Sequence, residues 1–557
     1  MPLNLDSNFE PIDQDDSIYQ DFLADLQGNI LNGHGRDYAV HIFLQFIQIT
    51  DPKEKAKKVG AVKAWISNLA GTKITSAKSQ LDSSKQYKLT KLDAGLFTHF
   101  ALTAAGYDYL GIPEDKQPEE ANFQNRSEKV FKVGLKSRQS VLLDQPEANW
   151  EEGFKGSIDA LIILAADSPA DLTAAELGVR QQLKELATIK NVETGLILRR
   201  RFKATVDGSD VQKEFGNVVE HFGYADGVSQ PAFLKRQLEG VTSKYWEHPG
   251  APLKLVLIDD PNGSKDVSFG SFLVFRKLEQ NVKGFKTAEA KLAEALGLPK
   301  ELGGAMAVGR YEDGTPLVLQ PGDRGWTESQ NPTTPNDFSY KGDPDGLKCP
   351  FHAHVRKSNP RLESVGSFAA SDEVELGHRI ARRGITYGGP LSAADDLDAL
   401  PEKGVGLLFM CYQSDIWEQF EFIQRFWCNN PNFLEPGKSD ITKTPPNLNY
   451  DKTGLDAVIG QKQGDLPDPV IGEPPQPPQN WPQEWGKTTV KPEIEPENQF
   501  GQFVTLKGGE YFFSPSITFL RNLPRLTFPA QEEQPETVED VAEGSSEEEQ
   551  VASVKIA

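Results

Sequence analysis

Cysteine is scarce: Cys349, Cys411 and Cys428 are the only three in 557 residues. None forms a CxxC pair, and an odd count argues against a disulfide framework. A reducing compartment fits that usage. No apolar run approaches the ~20 residues that a membrane helix needs. The start, MPLNLDSNFEPIDQDD, has no basic cluster, apolar core or twin arginine, so no export signal is expected and the cytoplasm is the expected location. Basic charge is also short: 59 Lys and Arg against 81 Asp and Glu give a net charge of −22. Such a surface repels phosphate backbones and anionic lipids, which excludes nucleic acid and membranes as natural partners. The chain carries no GxxxxGK[ST] loop, no HExxH helix, no GxSxG elbow and no glycine-rich dinucleotide turn. Phosphate-loop enzymes, zincin proteases, α/β-hydrolases and dinucleotide oxidoreductases are thereby set aside. The many acids leave a paired-carboxylate hydrolase open.

What is present reads as an α+β protein. Hydrophobic residues at 38% and charged residues at 25% suit a globular chain, and its length suits two domains. YAVHIFLQFIQI (Tyr38–Ile49) reads as a strand. Lys53–Leu69 has helical spacing at Val59, Val62, Trp65, Ile66 and Leu69. Ile158–Asp167 reads as a buried strand, then a helix from about Ala170 to Thr188, then a strand Thr194–Ala204. That order predicts a ferredoxin-like unit. A second block repeats it: strand Gly270–Gln280, helix Ala288–Leu296, strand Gly404–Gln413 and helix Ile416–Trp427. Phe503–Leu523 reads as strand, turn, strand and short helix. The expected organisation is a disordered stretch 1–18, ferredoxin-like domains at 19–215 and 216–523, a proline-rich insertion near 436–496 and a disordered acidic tail at 524–557. Two such domains with packed antiparallel sheets would leave a cleft between them.

Three segments carry candidate chemistry. In EHFGYADGVSQP (Glu220–Pro231), Gly223 and Gly227 flank Asp226. Glycines let such a backbone approach a flat ligand and present the carboxylate; a solvated turn is the alternative. In LKCPFHAHVRKSNPR (Leu347–Arg361), His352 and His354 lie two apart. They could form a metal pair, or one could satisfy a local hydrogen bond. In GHRIARRGITYGGP (Gly377–Pro390), Arg379, Arg382 and Arg383 crowd a stretch poor in acids. A solvated basic turn would look alike, whereas a buried guanidinium would need an anion.

In this order the three segments resemble the dye-decolorising peroxidases. The likeness spans roughly Asp25 to Leu523, including DLQGNILNGHGR, GSFLVFRKLEQ, GLDAVIGQ and GGEYFFSPS. It implies a haem peroxidase with one haem b per chain, held in the cleft on the C-terminal domain side. By the resemblance, His354 is the axial iron ligand, Asp226 shuttles the peroxide proton and Arg382 stabilises charge as the O–O bond breaks. A carboxylate in that role implies best activity in acid. Arg310 (in GRYEDG) and Arg356 are candidate partners for the haem propionates. An acid supporting the proximal histidine is expected on the helix after Gln413, from Asp415, Glu418 or Glu421. Glu418 points away from that helix's apolar face and fits least. The implied partners are hydrogen peroxide and an organic electron donor such as a dye or phenol, and a homo-oligomer is left open. A haem-binding or iron-releasing protein with little turnover is the alternative, as is an interaction protein that kept only the fold. The end VASVKIA (Val551–Ala557) follows an acidic linker and reads either as a frayed terminus or as a peptide docking on a shell protein.

Overall fold

The computed structural model describes residues 3–6, 10–90, 93–122, 128–206, 209–226, 230–239, 249–326, 336–365, 368–389, 397–434, 453–461, 481–487, 490–491 and 500–528. The first half builds β1 (Tyr38–Phe46), β2 (Phe97–Leu102), β3 (Ala160–Ala166) and β4 (Ala187–Leu196). Helix Pro52–Thr72 starts at a proline, with Asp51 capping Lys53 and Glu54 amides. Helix Pro169–Leu183 starts the same way, capped by Ser168. The spatial order β2-β3-β1-β4 is that of an antiparallel ferredoxin-like sheet. A separate hairpin follows, β5 (Leu198–Val206) and β6 (Ser209–Val219).

The second half contributes β7 (Ile258–Asp259), β8 (Phe269–Gln280), β9 (Ala381–Arg382), β10 (Ile385–Tyr387) and β11 (Gly406–Gln413). The short pair β12 (Trp481–Pro482) and β13 (Val490–Lys491) and the long β14 (Val504–Ser514) complete it. Here the order is β14-β8-β11-β10, the same pattern again. The two sheets meet at both edges, through Tyr387 opposite Gly195 and Phe513 opposite Leu102. Eight strands therefore close into a ring. Its interior holds an aromatic core in which Phe43 of β1 packs on Phe275 of β8, centroids 4.8 Å apart. Closure removes the open edges that each sheet would otherwise present. The alternate residues of β8, Arg276, Leu278 and Gln280, face a cavity on the outer side.

Several boundaries differ from the sequence reading. The helix expected to reach Thr188 stops at Leu183, because Ala187 already pairs with Phe46 of β1. The strand expected over Thr194–Ala204 is divided at Ile197, whose amide turns to the Asp37 carbonyl while the chain leaves one sheet for the hairpin. The expected turn within Phe503–Leu523 is a bulge in one continuous strand. Gly508 sits there at φ +150°, and a Cβ would stand 2.3 Å from the Phe154 ring, so only glycine fits. The helix expected over Ile416–Trp427 forms with wide turns: Glu421 and Asn429 amides reach back five residues, to Ile416 and Gln424 carbonyls. Within the first eighteen residues, expected to be disordered, Ile12 is buried and its amide donates to the Phe233 carbonyl at 2.9 Å. The acidic tail from 529 onward and most of the 436–496 insertion lie outside the described residues. Among the described residues no helix is long and apolar enough to cross a membrane.

Candidate active site

A cavity of about 630 Å³ opens on the outer face of β8 and β11. Asp226, Arg310, His354 and Arg382 all line it. Leu278, Val308, Val355, Phe409, Phe420 and Val458 supply apolar wall. The volume and lining match a site for a large, mostly apolar ligand with a few fixed polar contacts.

Asp226 follows the hairpin. The preceding turn wraps around the Glu220 carboxylate, which accepts from the Phe222 and Tyr224 amides at 2.8 and 3.0 Å. Gly223 takes φ +94° there, a conformation glycine adopts without strain. Tyr224 is buried and its phenol donates to Glu289 at 2.5 Å. The segment is thus anchored on both sides, while Asp226 itself is exposed. Gly227 lies outside the described residues.

Arg382 is fixed by β9, opposite Cys411 of β11, and its amide donates to the Gln230 side chain at 2.8 Å. Its Nη1 donates to Asp226 Oδ2 at 2.8 Å. The other arginines of that segment are held by backbone carbonyls, although Arg379 also lines the cavity. Arg383 donates to the carbonyls of Asn29 and Ile30, and Arg379 to those of Leu376 and Gly250.

His354 opens the short helix His354–Ser358. Its Nδ1 lies 2.9 and 3.1 Å from the two oxygens of Asp456. Asp456 is buried and also accepts the Val458 and Ile459 amides at 2.8 and 2.9 Å. Burial alone would push that carboxyl up, but His354 and the two amides hold it below its ordinary range. An ionised Asp456 keeps the proton on Nδ1 and leaves Nε2 as the donor atom. This corrects the sequence reading, which sought the acid on the helix after Gln413. Asp415 accepts the Asn122 and Glu418 amides instead. Glu421 is bound by Arg138 and the Tyr511 phenol.

His352 is no partner of His354. It is buried, contacts the Thr453 carbonyl through Nδ1 and packs against Trp481, and burial pushes it down to about 3. Arg310 is almost wholly buried, held by the Gly314 carbonyl and the Asn336 side chain at 2.8 and 3.1 Å. Burial depresses its basicity, and the nearby charge of Asp226 acts the other way. Arg356, expected beside a propionate, is instead enclosed by Asp343 and Glu363 and does not line the cavity. A buried guanidinium takes its anions from the protein. A cavity histidine with an ionised supporting acid, an apolar slot and arginines on the wall, Arg310 and Arg382 among them, together fit a haem.

No family model matches the chain. A curated relative, the multifunctional dye peroxidase DyP2 of Amycolatopsis sp., is 39% identical over 90% of this chain and 96% of its own length. The chain belongs to the dye-decolorising peroxidase family. The dye-decolorizing peroxidase msp1 of Mycetinis scorodonius is 29% identical over 90% of this chain and 87% of its own. Among solved structures, the DyP-type peroxidase of Anabaena sp. superposes with a TM-score of 0.75 at 38% identity, covering 92% of this chain and 97% of that one. The family assignment makes this chain a haem peroxidase with two ferredoxin-like units.

Proposed function

We propose that this peroxidase binds one haem b per chain through His354 Nε2, reduces hydrogen peroxide with Asp226 and Arg382, and oxidises dye-like or phenolic donors one electron at a time. The observation that carries the reading is the gathering of His354, Asp226, Arg382 and Arg310 around one cavity. Bound haem would supply the redox chemistry, accepting two oxidising equivalents from peroxide and passing them to donors singly. Asp456 orients the His354 ring and strengthens its donor nitrogen. Asp226 takes a proton from one peroxide oxygen and returns it to the other, for which an exposed carboxylate at the cavity wall suffices. Arg382 stabilises negative charge on the departing oxygen. It also holds Asp226 in place through their ion pair. Arg310 would neutralise a propionate. Haem carriage without turnover gains nothing from relatives matched over most of the chain, which are named peroxidases.

The visible spectrum of haem-loaded protein, before and after one equivalent of peroxide, tests the reading. Wild type should show a Soret band that shifts promptly, and Asp226→Asn and Arg382→Leu should bind haem without the prompt shift. A Soret band indifferent to peroxide in wild type would overturn it in favour of carriage.

A further inference from the structure

The inner face of β11 holds a second group with redox chemistry. Leu407 and Phe409 line the cavity, so alternation sends Leu408, Met410 and Tyr412 into the ring. Tyr412 is wholly buried there. Its phenol oxygen lies 3.2 Å from Nε2 of His99 on β2, with the rings edge to face. On the other side of the imidazole, Nδ1 is 3.1 Å from the Gly28 carbonyl. A carbonyl can only accept, so Nδ1 carries the proton and Nε2 presents a lone pair. Burial keeps this ring neutral. Ser514 Oγ shares the same nitrogen at 2.8 Å, and Asn29 Nδ2 reaches the phenol at 3.5 Å.

The pair sits close to the peroxide side of the cavity. Tyr412 directly follows Cys411, the strand partner of Arg382. Arg383 donates to the carbonyl of Asn29, the residue whose side chain contacts the phenol. One sheet thickness separates the phenol from the cavity wall.

We propose that Tyr412 and His99 form a buried proton-coupled electron donor to the peroxide-oxidised haem, an inference that rests on the peroxidase reading. One electron leaves the phenol and reduces the haem site by one equivalent. The Oη–H bond breaks and its proton passes to His99 Nε2, leaving a neutral tyrosyl beside an imidazolium. An electron arriving later from an organic donor restores the phenol as the proton returns. Because Tyr412 touches neither solvent nor the cavity, the pair stores an oxidising equivalent out of reach of bulky molecules.

Electron paramagnetic resonance of haem-loaded protein, frozen after one equivalent of peroxide without donor, tests this. Ring-deuterated tyrosine should narrow the wild-type radical signal, and Tyr412→Phe, which removes one oxygen, should reduce it at least five-fold. His99→Gln retains the phenol but offers a poorer proton acceptor, and should reduce the signal too. Tyr387→Phe serves as the comparison and should leave it unchanged. A deuterium-sensitive signal of wild-type size in Tyr412→Phe would overturn the inference, whatever that variant does to stability. The Soret response separates the two readings: a prompt shift with no Tyr412-dependent radical sinks only this inference, and no shift in wild type sinks both.

Discussion

Arg382 donates to Asp226 across 2.8 Å, joining the end of one glycine-containing turn to a two-residue strand more than a hundred positions away. Breaking either side should separate haem binding from peroxide chemistry. Asp226→Asn and Arg382→Leu should each slow the peroxide reaction by about 10²-fold or more, with the Soret band of the resting protein kept. Stopped-flow mixing with peroxide measures it, and a wild-type rate in either variant would remove that residue from the mechanism.

Asp456→Asn should weaken the hold on the iron rather than the reaction with peroxide as such. Loss of a carboxylate behind a ligating histidine costs about 10–100-fold in affinity in comparable sites. Haem titration monitored in the Soret region gives the number, and Glu421→Gln serves as the contrast because its carboxylate is bound by Arg138 and Tyr511.

Arg310 and Arg356 should part company. Arg356→Leu leaves the buried Asp343 and the partly buried Glu363 without their cation, a loss of about 3–5 kcal/mol in stability. Urea unfolding measures it. Arg310→Leu should instead lower haem affinity, since that guanidinium lines the cavity. The opposite pattern would put Arg356 at the propionate.

Acid should loosen the ring. Burial, reinforced by neighbouring positive charge, pushes His34 down to about 4, and burial pushes His41 and His99 to about 3. The folded state binds their protons later than the unfolded chain, whose histidines titrate near 6.5. Their neutral forms cost nothing above that value. As pH falls below it the unfolded state gains protons first, so stability falls, by up to about 2 kcal/mol per histidine at pH 5. Denaturant midpoints at pH 7 and pH 5 measure the slope, and His41→Leu should flatten it. His41 is the choice because neither ring nitrogen has a hydrogen-bond partner among the described residues.

Much of this was legible from residues alone, and the exceptions have physical causes. Asp226, His354 and Arg382 each sit in a compact segment whose glycines, histidines or arginines stand out locally, and the fold brings all three to one cavity. Asp456 did not stand out. It lies 102 residues from His354, in a turn whose amides fold onto the carboxylate, and nothing in linear spacing links them. The glycines at 454 and 460 around an acid in an apolar stretch were the available signal. Arg356 misled because a cation near a ligand histidine looks functional until Asp343 and Glu363 are seen to enclose it. The strands were readable from alternation, but the bulge at Gly508 was not, because it is dictated by the Phe154 ring from the other half of the chain.

The closed ring also sets an order for biosynthesis. β14 is among the last elements made, yet it stands between β2 and β8 and brings Val504, Thr505 and Leu506 to the cavity wall. Until that strand leaves the ribosome, both sheets keep a raw edge and the cavity lacks part of its wall. A chain cut before residue 504 would therefore leave the β2 and β8 edges unpaired and the cavity open on one side, the kind of exposed edge that invites aggregation.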